Sequence, residues 1–364
     1  MSFCLNVNGV EISKKGLKDL PKNDIVDKDK NWKSDLFEFA SRWLGDTHSF
    51  KIYTSGSTGE PKEIIVNRKD IELSAKYTID YFGLDTVSTA LLCLPVTFIA
   101  GKMMLVRAIQ ANYYLFANKP VSNPLKDFGR PVNFLAITPH QFHEIIHDPD
   151  SFEILKQCDQ VIVGGGQINL NDLKAIAGLK NNIYATYGMT ETLTHIAVCK
   201  LNNSKIPLAF NTINERFKLS VDDRSCLNIS TPYAHARHIR TNDVCHLIHQ
   251  KAFVIKGRID NVINSGGLKI FPESIENEIS SHIKDPFFIA SQAHEALGEE
   301  VVLFIQAEQY NPEKSQEILN VLKSLLDHKH EIPRIIQCLP KFVYTESGKI
   351  NRRDTLKWAS NNIV

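Results

Sequence analysis

A loop rich in glycine, hydroxyl and lysine residues constrains this chain more than any other stretch. Residues 53–62 read Tyr-Thr-Ser-Gly-Ser-Thr-Gly-Glu-Pro-Lys, with strand-like segments on both sides. Glycines permit positive φ, so successive N–H groups can turn inward around an anion, while hydroxyls and a lysine add donors and charge suited to phosphate. The candidate phosphate-binding residues are Thr54, Ser55, Gly56, Ser57, Thr58, Gly59 and Lys62. Taken alone, the stretch also fits a plain turn between two strands.

Two further stretches indicate where a flat, charged ligand binds. Residues 160–166 form an apolar strand that ends in three glycines, so a ring could lie against bare backbone at Gly165 and Gly166. A tight turn without a ligand fits the same letters. Residues 187–192 read Tyr-Gly-Met-Thr-Glu-Thr. They offer an aromatic face and a carboxylate, the side-chain types that a flat ring and a hard divalent cation need.

Together with three later motifs, these stretches resemble the signatures of the adenylate-forming superfamily, which includes acyl-CoA synthetases and nonribosomal-peptide adenylation domains. Residues 241–244 read Thr-Asn-Asp-Val, similar to the family's Thr-Gly-Asp-Leu, and the Asn in place of Gly is a mild departure because Asn tolerates the left-handed region. Residues 256–270 resemble the family's hinge signature, and residues 347–353 resemble its last signature. The signatures occur in the family's order, which makes a chance match implausible.

The resemblance implies roles for individual residues around ATP. Tyr187 would stack near the adenine with Gly188 beside it, Asp243 would accept both ribose hydroxyls, and Arg258 would reach the nucleotide. The implied catalytic residues are Thr190 at the α-phosphate, Glu191 as the ligand of Mg²⁺, and Lys349 on a Gly-bearing loop that can swing into the site. Standing alone, Lys349 would be interpreted as an exposed turn lysine.

The resemblance also implies a mobile second domain and a thiol cosubstrate, CoA. Asp260 would be the hinge, and Ser265, Gly266 and Gly267 would lie where the pantetheine arm of CoA passes close to the backbone. A β-hairpin with these three residues as its turn is the structural alternative, and it is compatible with that role.

The length and the alternation of strands and helices predict an α/β protein of two domains. We expect a large layered N-terminal AMP-binding domain over residues 1–259 and a small mobile α+β lid over residues 260–364. Relatives carry more chain ahead of the phosphate loop, so we expect the N-terminal domain to be shortened. Apolar residues at helical spacing predict a helix over residues 32–43.

The acyl substrate is predicted from the same signatures. They look most like those of o-succinylbenzoate:CoA ligases of menaquinone synthesis, which activate one carboxylate of a ligand that carries a second carboxylate and a keto group. The candidate pocket residues are Phe98, His140, Thr194 and His195, with Lys102 as a further donor. Another acyl- or aryl-CoA ligase, an enzyme that loads a carrier protein, and an inactive nucleotide-binding relative are the alternatives. Phe98 fits a simple core aromatic equally well.

The composition limits which binding partners and which cellular compartment we expect for the chain. The net charge of +1 gives no support to a nucleic-acid or anionic-membrane partner, so we expect small-molecule substrates, with the oligomeric state left open. The seven cysteines are scattered without a C-x-x-C pair, which indicates reduced thiols and a cytoplasmic protein. His140, His143 and His147 share one predicted helical face. Taken alone, the pattern favours a plain surface face over a metal site.

Overall fold

The computed structural model describes residues 3–19, 32–53, 62–202, 204, 207–280, 282–309, 311–326, 328–344 and 350–362. Within these residues the chain forms ten α-helices, twenty strands and two short 3₁₀ helices, Thr190–Thr192 and Ile259–Asn261. The α-helices are α1 (Lys14–Lys18), α2 (Trp32–Leu44), α3 (Arg68–Phe82), α4 (Ile99–Ala111), α5 (Pro139–Ile146), α6 (Pro149–Gln157), α7 (Leu170–Ala175), α8 (Pro272–Ile279), α9 (Pro312–Leu325) and α10 (Arg352–Asn362).

The strands divide among three sheets. They are β1 (Cys4–Val7), β2 (Val10–Ser13), β3 (Ser49–Tyr53), β4 (Glu63–Asn67), β5 (Thr89–Leu92), β6 (Tyr114–Ala117), β7 (Phe134–Ile137), β8 (Gln160–Val163), β9 (Asn182–Gly188), β10 (His195–Lys200), β11 (Ala209–Thr212), β12 (Lys218–Val221), β13 (Cys226–Ser230), β14 (His238–His249), β15 (Ala252–Arg258), β16 (Ile263–Ser265), β17 (Leu268–Ile270), β18 (Phe287–His294), β19 (Gly298–Gln306) and β20 (Ile335–Leu339).

The largest sheet is parallel on one side and antiparallel on the other. Its thirteen strands follow the order β12-β13-β14-β15-β11-β10-β9-β8-β7-β5-β6-β1-β2. Strands β9, β8, β7, β5, β6 and β1 pair in parallel, whereas β10 and the strands beyond it, and β2 at the other edge, pair antiparallel. Strands β1 and β2 were not predicted from the sequence, and they extend the parallel edge through β6.

The parallel strands are buried on both faces. In β7, Phe134 and Ala136 join one core cluster and Leu135 and Ile137 join a second cluster on the opposite face. This alternation follows from the two-residue period of a strand. Helix α2 packs Leu36, Phe39, Ala40 and Trp43 into the first cluster, as the apolar spacing predicted.

A smaller sheet holds the C-terminal residues. Its strands follow the order β17-β16-β19-β18, and β20 pairs in parallel with β19. Successive residues of β19 again point to two clusters, because Leu303 packs on one side and Val302 and Phe304 on the other. The short segment 259–262 connects the two sheets. The chain is therefore an α/β protein with a large N-terminal part and a smaller C-terminal part.

Candidate active site

Part of the predicted phosphate site lies outside the described residues. These predicted residues are Thr54, Ser55, Gly56, Ser57, Thr58, Gly59 and Lys349. The strands on either side of the loop are described and pair antiparallel, with Tyr53 opposite Glu63. The Glu63 carboxylate accepts hydrogen bonds from Lys51 Nζ and from the Tyr53 hydroxyl, each at 3.1 Å. The two predicted strands are confirmed, and Lys62, directly before β4, is exposed.

Three residues that the sequence assigned to the nucleotide lie together. The Tyr187 hydroxyl, at the end of β9, donates to Asp243 Oδ2 at 2.6 Å. Arg258 Nη1 donates to Asp243 Oδ1 at 3.2 Å, because β14 and β15 place these two residues opposite each other. Burial, and then the Asp243 carboxylate, raise the pKa of Tyr187 well above its ordinary value of 10. Tyr187 is therefore a neutral donor, and each Asp243 oxygen still has a lone pair for a ribose hydroxyl.

Glu191 sits in a strained turn beyond the end of β9. It belongs to the 3₁₀ helix Thr190–Thr192, which ends at Leu193 with φ 64° and ψ −45°. Thr194 N donates to Thr192 O at 2.7 Å across Leu193, which makes this turn a γ-turn of the rarer, strained type. Leu193 is fully buried, so packing holds the strained backbone in place. No hydrogen bond or ion pair to another described residue occupies the Glu191 carboxylate, which leaves its oxygens available to a cation.

A buried aspartate–histidine pair supports the Glu191 turn from behind. His235 Nδ1 donates to Asp70 Oδ2 at 2.9 Å, and His235 Nε2 donates to the Glu191 backbone carbonyl at 3.0 Å. Both side chains are 7% exposed. Burial alone raises the pKa of the Asp70 carboxyl, but hydrogen bonds from His235 and from the Ala234 and His235 backbone outweigh burial, and the pKa lies below 3.8. A carboxylate and a carbonyl both accept, so each ring nitrogen of His235 faces an acceptor.

Sequence reasoning missed this pair because neither residue lies in a signature. Asp70 lies in the first turn of α3, the helix that begins directly after β4 leaves the phosphate loop. The pair therefore connects the first turn of α3 with the Glu191 backbone. The only sequence signal was the Asn67 N-cap, whose amide also donates to Asp70 at 3.0 Å.

Two glycines near the site leave no room for a side chain. A Cβ on Gly188 would lie 2.4 Å from the Thr194 carbonyl oxygen, where β9 and β10 pair. A Cβ on Gly164 would lie 2.1 Å from Thr186 Oγ1. The next residue, Gly165, has φ 86° and open space where a side chain would be. The turn after β8 therefore presents bare backbone, as the sequence predicted, while the binding roles of Gly165 and Gly166 stay predictions.

The candidate acyl-pocket residues occupy different surroundings. Phe98 precedes α4 and is 38% exposed, and His140 lies exposed in the first turn of α5. His195 is buried, and its ring nitrogens contact the hydroxyls of Thr78 at 3.3 Å and Thr194 at 3.2 Å. Burial, and then Arg107, hold the pKa of His195 well below 6.5, so it is neutral at pH 7. Protein hydroxyls already engage both nitrogens, so His195 reaches a substrate only through Thr194.

Two cations lie beside these residues. Lys102 Nζ donates to the carbonyls of Val96 and Thr97, at 2.8 Å for Thr97, and burial lowers its pKa to about 8. Lys102 therefore holds the connection between β5 and α4. Arg107 is 2% exposed, forms no salt bridge with a described carboxylate, and donates from Nη2 to Thr194 Oγ1 at 2.8 Å. This buried guanidinium polarises the Thr194 hydroxyl, a contact that could not be predicted from the sequence.

The predicted hinge and hairpin are also in place as structural elements. Asp260 lies in the connection between the sheets and accepts from Arg258 Nη2 at 2.7 Å and from the Asn242 amide at 3.2 Å. Strands β16 and β17 form a hairpin that turns at Gly266 and Gly267, with φ 56° and 82°, and Ser265 before them is buried. The hinge motion and the CoA path stay predictions.

The sequence and the fold match those of known proteins. The AMP-binding enzyme family profile matches residues 10–216. An acyl-CoA synthetase (AMP-forming)/AMP-acid ligase II-like protein from Dyadobacter fermentans has 31% identity and a TM-score of 0.61, over 95% of this chain and 98% of that one. A probable 2-succinylbenzoate–CoA ligase of Mycobacterium tuberculosis is 25% identical over 284 residues, 72% of each chain.

A further likeness concerns the fold alone. The o-succinylbenzoate CoA synthetase of Bacillus subtilis, solved with its acyl-adenylate intermediate, has 18% identity and a TM-score of 0.72, over 83% of this chain and 68% of that one. Among the described residues no helix is both long and apolar enough to cross a membrane. Because the family profile covers more than half of the chain, this chain belongs to the AMP-binding enzyme family.

Proposed function

We propose that this chain is an AMP-forming acid–thiol ligase that converts o-succinylbenzoate to o-succinylbenzoyl-CoA with ATP, Mg²⁺ and CoA. The observation that carries the proposal is the contact of Tyr187, Asp243 and Arg258, which come from three different signatures and meet beside the Glu191 turn. The substrate assignment is supported by the name of the Mycobacterium tuberculosis relative and by the fold likeness to the Bacillus subtilis synthetase.

The first half-reaction joins a carboxylate to AMP. A carboxylate oxygen attacks the α-phosphorus of ATP, the bond to the β-phosphate oxygen breaks, and pyrophosphate leaves. Thr190 and Lys349 bind the α-phosphate as negative charge builds on it, and the loop donors of residues 54–59 with Lys62 bind the other phosphates. Mg²⁺ bound at Glu191 supplies further charge neutralisation.

The arrangement of charged groups fits a divalent cation at Glu191. Its carboxylate is partly buried and has no partner among the described residues, while its backbone is fixed by His235. A fixed carboxylate oxygen is the ligand type that Mg²⁺ prefers. Positioning and charge stabilisation are the main protein contributions to phosphoryl chemistry, and a fixed Glu191 carboxylate with bound Mg²⁺ would contribute to both.

The second half-reaction transfers the acyl group to a thiol. The CoA sulfur attacks the acyl carbon, and AMP leaves with the bonding electrons. We propose that residues 260–364 rotate about Asp260 between the steps, withdrawing Lys349 and bringing the hairpin at Ser265, Gly266 and Gly267 to the pantetheine arm. Gly266 and Gly267 both adopt positive φ, so a side chain there would strain the turn as well as obstruct the arm.

The acyl pocket is proposed to lie among Phe98, His140, Thr194 and His195. The buried Arg107 points its guanidinium at Thr194, which makes the Thr194 hydroxyl a stronger donor for a substrate oxygen. Lys102 is committed to backbone carbonyls, so its contribution as a substrate donor requires the loop at Val96 and Thr97 to release it.

A carboxylate panel tests the proposed function. The purified chain is incubated with ATP, Mg²⁺, CoA and each acid, and pyrophosphate, AMP and thioester are measured. We expect the highest rate with o-succinylbenzoate. Faster turnover of medium-chain fatty acids would overturn the substrate assignment. Adenylate without thioester from CoA would point to a carrier-protein thiol, and no pyrophosphate with any acid would point to an inactive relative.

The two half-reactions test the lid. Lys349→Ala should nearly abolish adenylate formation from ATP, yet convert preformed acyl-adenylate and CoA to thioester at close to the normal rate. Gly267→Leu should show the reverse pattern. Equal loss of both half-reactions in both variants would refute the alternating lid and leave Lys349 as a structural residue.

A further inference from the structure

Three metal-binding side chains meet away from the nucleotide residues. His143 and His147 lie on successive turns at the end of α5, and their ring centroids are 4.2 Å apart. Asp172, on α7, brings its carboxylate oxygens to 3.0 and 3.2 Å from His143 Nδ1. One possible ligand atom from each residue lies within 4.8 Å of the others. The sequence interpretation of a plain surface face overlooked Asp172, because the fold and not the chain order supplies the acidic partner.

The orientation of His147 distinguishes this cluster from a chance grouping. His147 Nδ1 donates to the His143 backbone carbonyl at 2.8 Å, which fixes the proton on Nδ1 and leaves a lone pair on Nε2. Metal-bound histidines almost always hold their other ring nitrogen in this way, on a backbone carbonyl or a carboxylate. The backbone bond does not require Asp172, so it is an observation independent of the His143–Asp172 contact.

The burial of Asp172 also indicates a metal site. Its side chain is 2% exposed, whereas that of His143 is 43% exposed. A buried carboxylate is costly unless it is paired or binds a metal. Among the described contacts of its oxygens, only the half-exposed His143 ring donates to them. A divalent cation would complete the pairing of this charge.

We propose that His143, His147 and Asp172 form a zinc site that nucleotide binding does not use. The ligands are Nε2 of His147, a ring nitrogen of His143 and a carboxylate oxygen of Asp172. Two imidazoles and one carboxylate suit Zn²⁺, and three protein ligands leave a fourth tetrahedral position for water. The His328 and His330 rings also stack, at 5.4 Å, but no described carboxylate joins them in such a group.

The position of the cluster gives the metal a structural consequence. Helix α5 follows β7, and α7 follows the glycine turn after β8, two neighbouring parallel strands. A metal shared by both helices would fix α7 and thereby the end of the turn at Gly165 and Gly166. We therefore expect zinc to raise the melting temperature of the chain without replacing Mg²⁺ in the reaction.

Zinc titration of the full chain tests the proposal. Metal-stripped protein is titrated with ZnCl₂ alone by calorimetry, and with Co²⁺ by visible absorption, which reports tetrahedral geometry. We expect one Zn²⁺ per chain and Co²⁺ bands without thiolate charge transfer. His147→Ala, at an exposed position, should weaken binding by at least roughly tenfold, and so should Asp172→Asn. His328→Ala is the matched control and should bind like the wild type.

The titrations have outcomes that would contradict the proposed zinc site. If the wild-type chain binds Zn²⁺ no more tightly than His147→Ala, or if the cobalt spectrum shows thiolate ligands, the proposal is overturned. His147→Ala removes an exposed side chain, so its folding is checked by circular dichroism before titration. The readout is metal binding, so a failure here leaves the proposed ligase activity untouched.

Discussion

Replacing Asp70 by Asn tests whether the buried Asp70–His235 pair fixes the Glu191 turn. The carboxylate accepts four hydrogen bonds, from the Asn67 amide, Ala234 N, His235 N and His235 Nδ1, at 2.9 to 3.2 Å. An Asn side chain has one accepting oxygen, so at least one buried donor loses its acceptor. The least costly orientation turns the new amide toward Ala234 N, which then faces another donor.

The magnitude follows from those contacts. One unsatisfied buried donor costs about 1–3 kcal/mol, and the loss of charge in the remaining bonds adds about 1 kcal/mol. We therefore expect Asp70→Asn to lower the free energy of unfolding by about 2–4 kcal/mol, measured by urea denaturation at pH 7. Asp80→Asn on the same helix is the matched control, because the Asp80 pair with Lys76 is exposed and should contribute less than about 1 kcal/mol.

Two further measurements distinguish a role of Asp70 in positioning Glu191 from a general contribution to the stability of the chain. ATP–pyrophosphate exchange measured against Mg²⁺ concentration should show a raised half-saturation for Asp70→Asn and an unchanged one for Asp80→Asn. The pH dependence has a defined sign. The pKa of Asp70 is lower in the folded chain than its ordinary 3.8, so the folded state binds fewer protons. The stabilisation is complete above that value and is lost as the pH falls through the folded pKa. A loss no larger than that of the control, with unchanged Mg²⁺ dependence, would refute the reasoning.

The remaining predictions address the site directly. Glu191→Gln keeps shape but removes charge, so adenylate formation by pyrophosphate exchange should fall by roughly two orders of magnitude; wild-type rates at saturating Mg²⁺ would contradict this. Tyr187→Phe removes the 2.6 Å bond to Asp243, so the KM for ATP should rise while the unfolding free energy falls by about 1 kcal/mol; an unchanged KM would contradict this. Gly188→Ala places a Cβ 2.4 Å from the Thr194 carbonyl oxygen and should cost about 1–3 kcal/mol in urea denaturation; wild-type stability would show that the strands can separate there.

Local signals in the sequence were sufficient for most of the elements. Helix α5 begins at a capping box between Thr138 and Gln141 with Pro139 at its first turn, and α3 ends at Gly83 in the left-handed conformation. Such caps depend on neighbours in the chain, so they are visible in the sequence. The placement of β1 beside β6 was not visible, because it depends on packing between distant segments.

The same distinction holds for the site, where some residues could be predicted from the sequence and others could not. Tyr187, Asp243 and Arg258 could be predicted because each lies inside a recognisable signature. Asp70 and His235 could not, because they are 165 positions apart and each looks ordinary among its neighbours. Asp172 was not predicted as a partner of His143 for the same reason, because it lies 29 positions away on another helix. Residues that support other residues have no sequence motif of their own. What they need is a contact with a residue that is distant in the chain, and such a contact leaves no local pattern.

Helix α3 explains how the Glu191 turn is held in place. Its first turn bears Asp70, which binds His235 and through it the Glu191 backbone. Its later turns bear Thr78, which contacts His195 at 3.3 Å, beyond the strained turn. The helix is thus bonded on both sides of the Glu191 turn, and it begins where the phosphate loop's exit strand ends. Donors aimed at developing charge stabilise a transition state best when they need no reorganisation. A single helix that is hydrogen-bonded on both sides of the Glu191 turn meets that requirement, because the turn cannot shift without breaking buried hydrogen bonds.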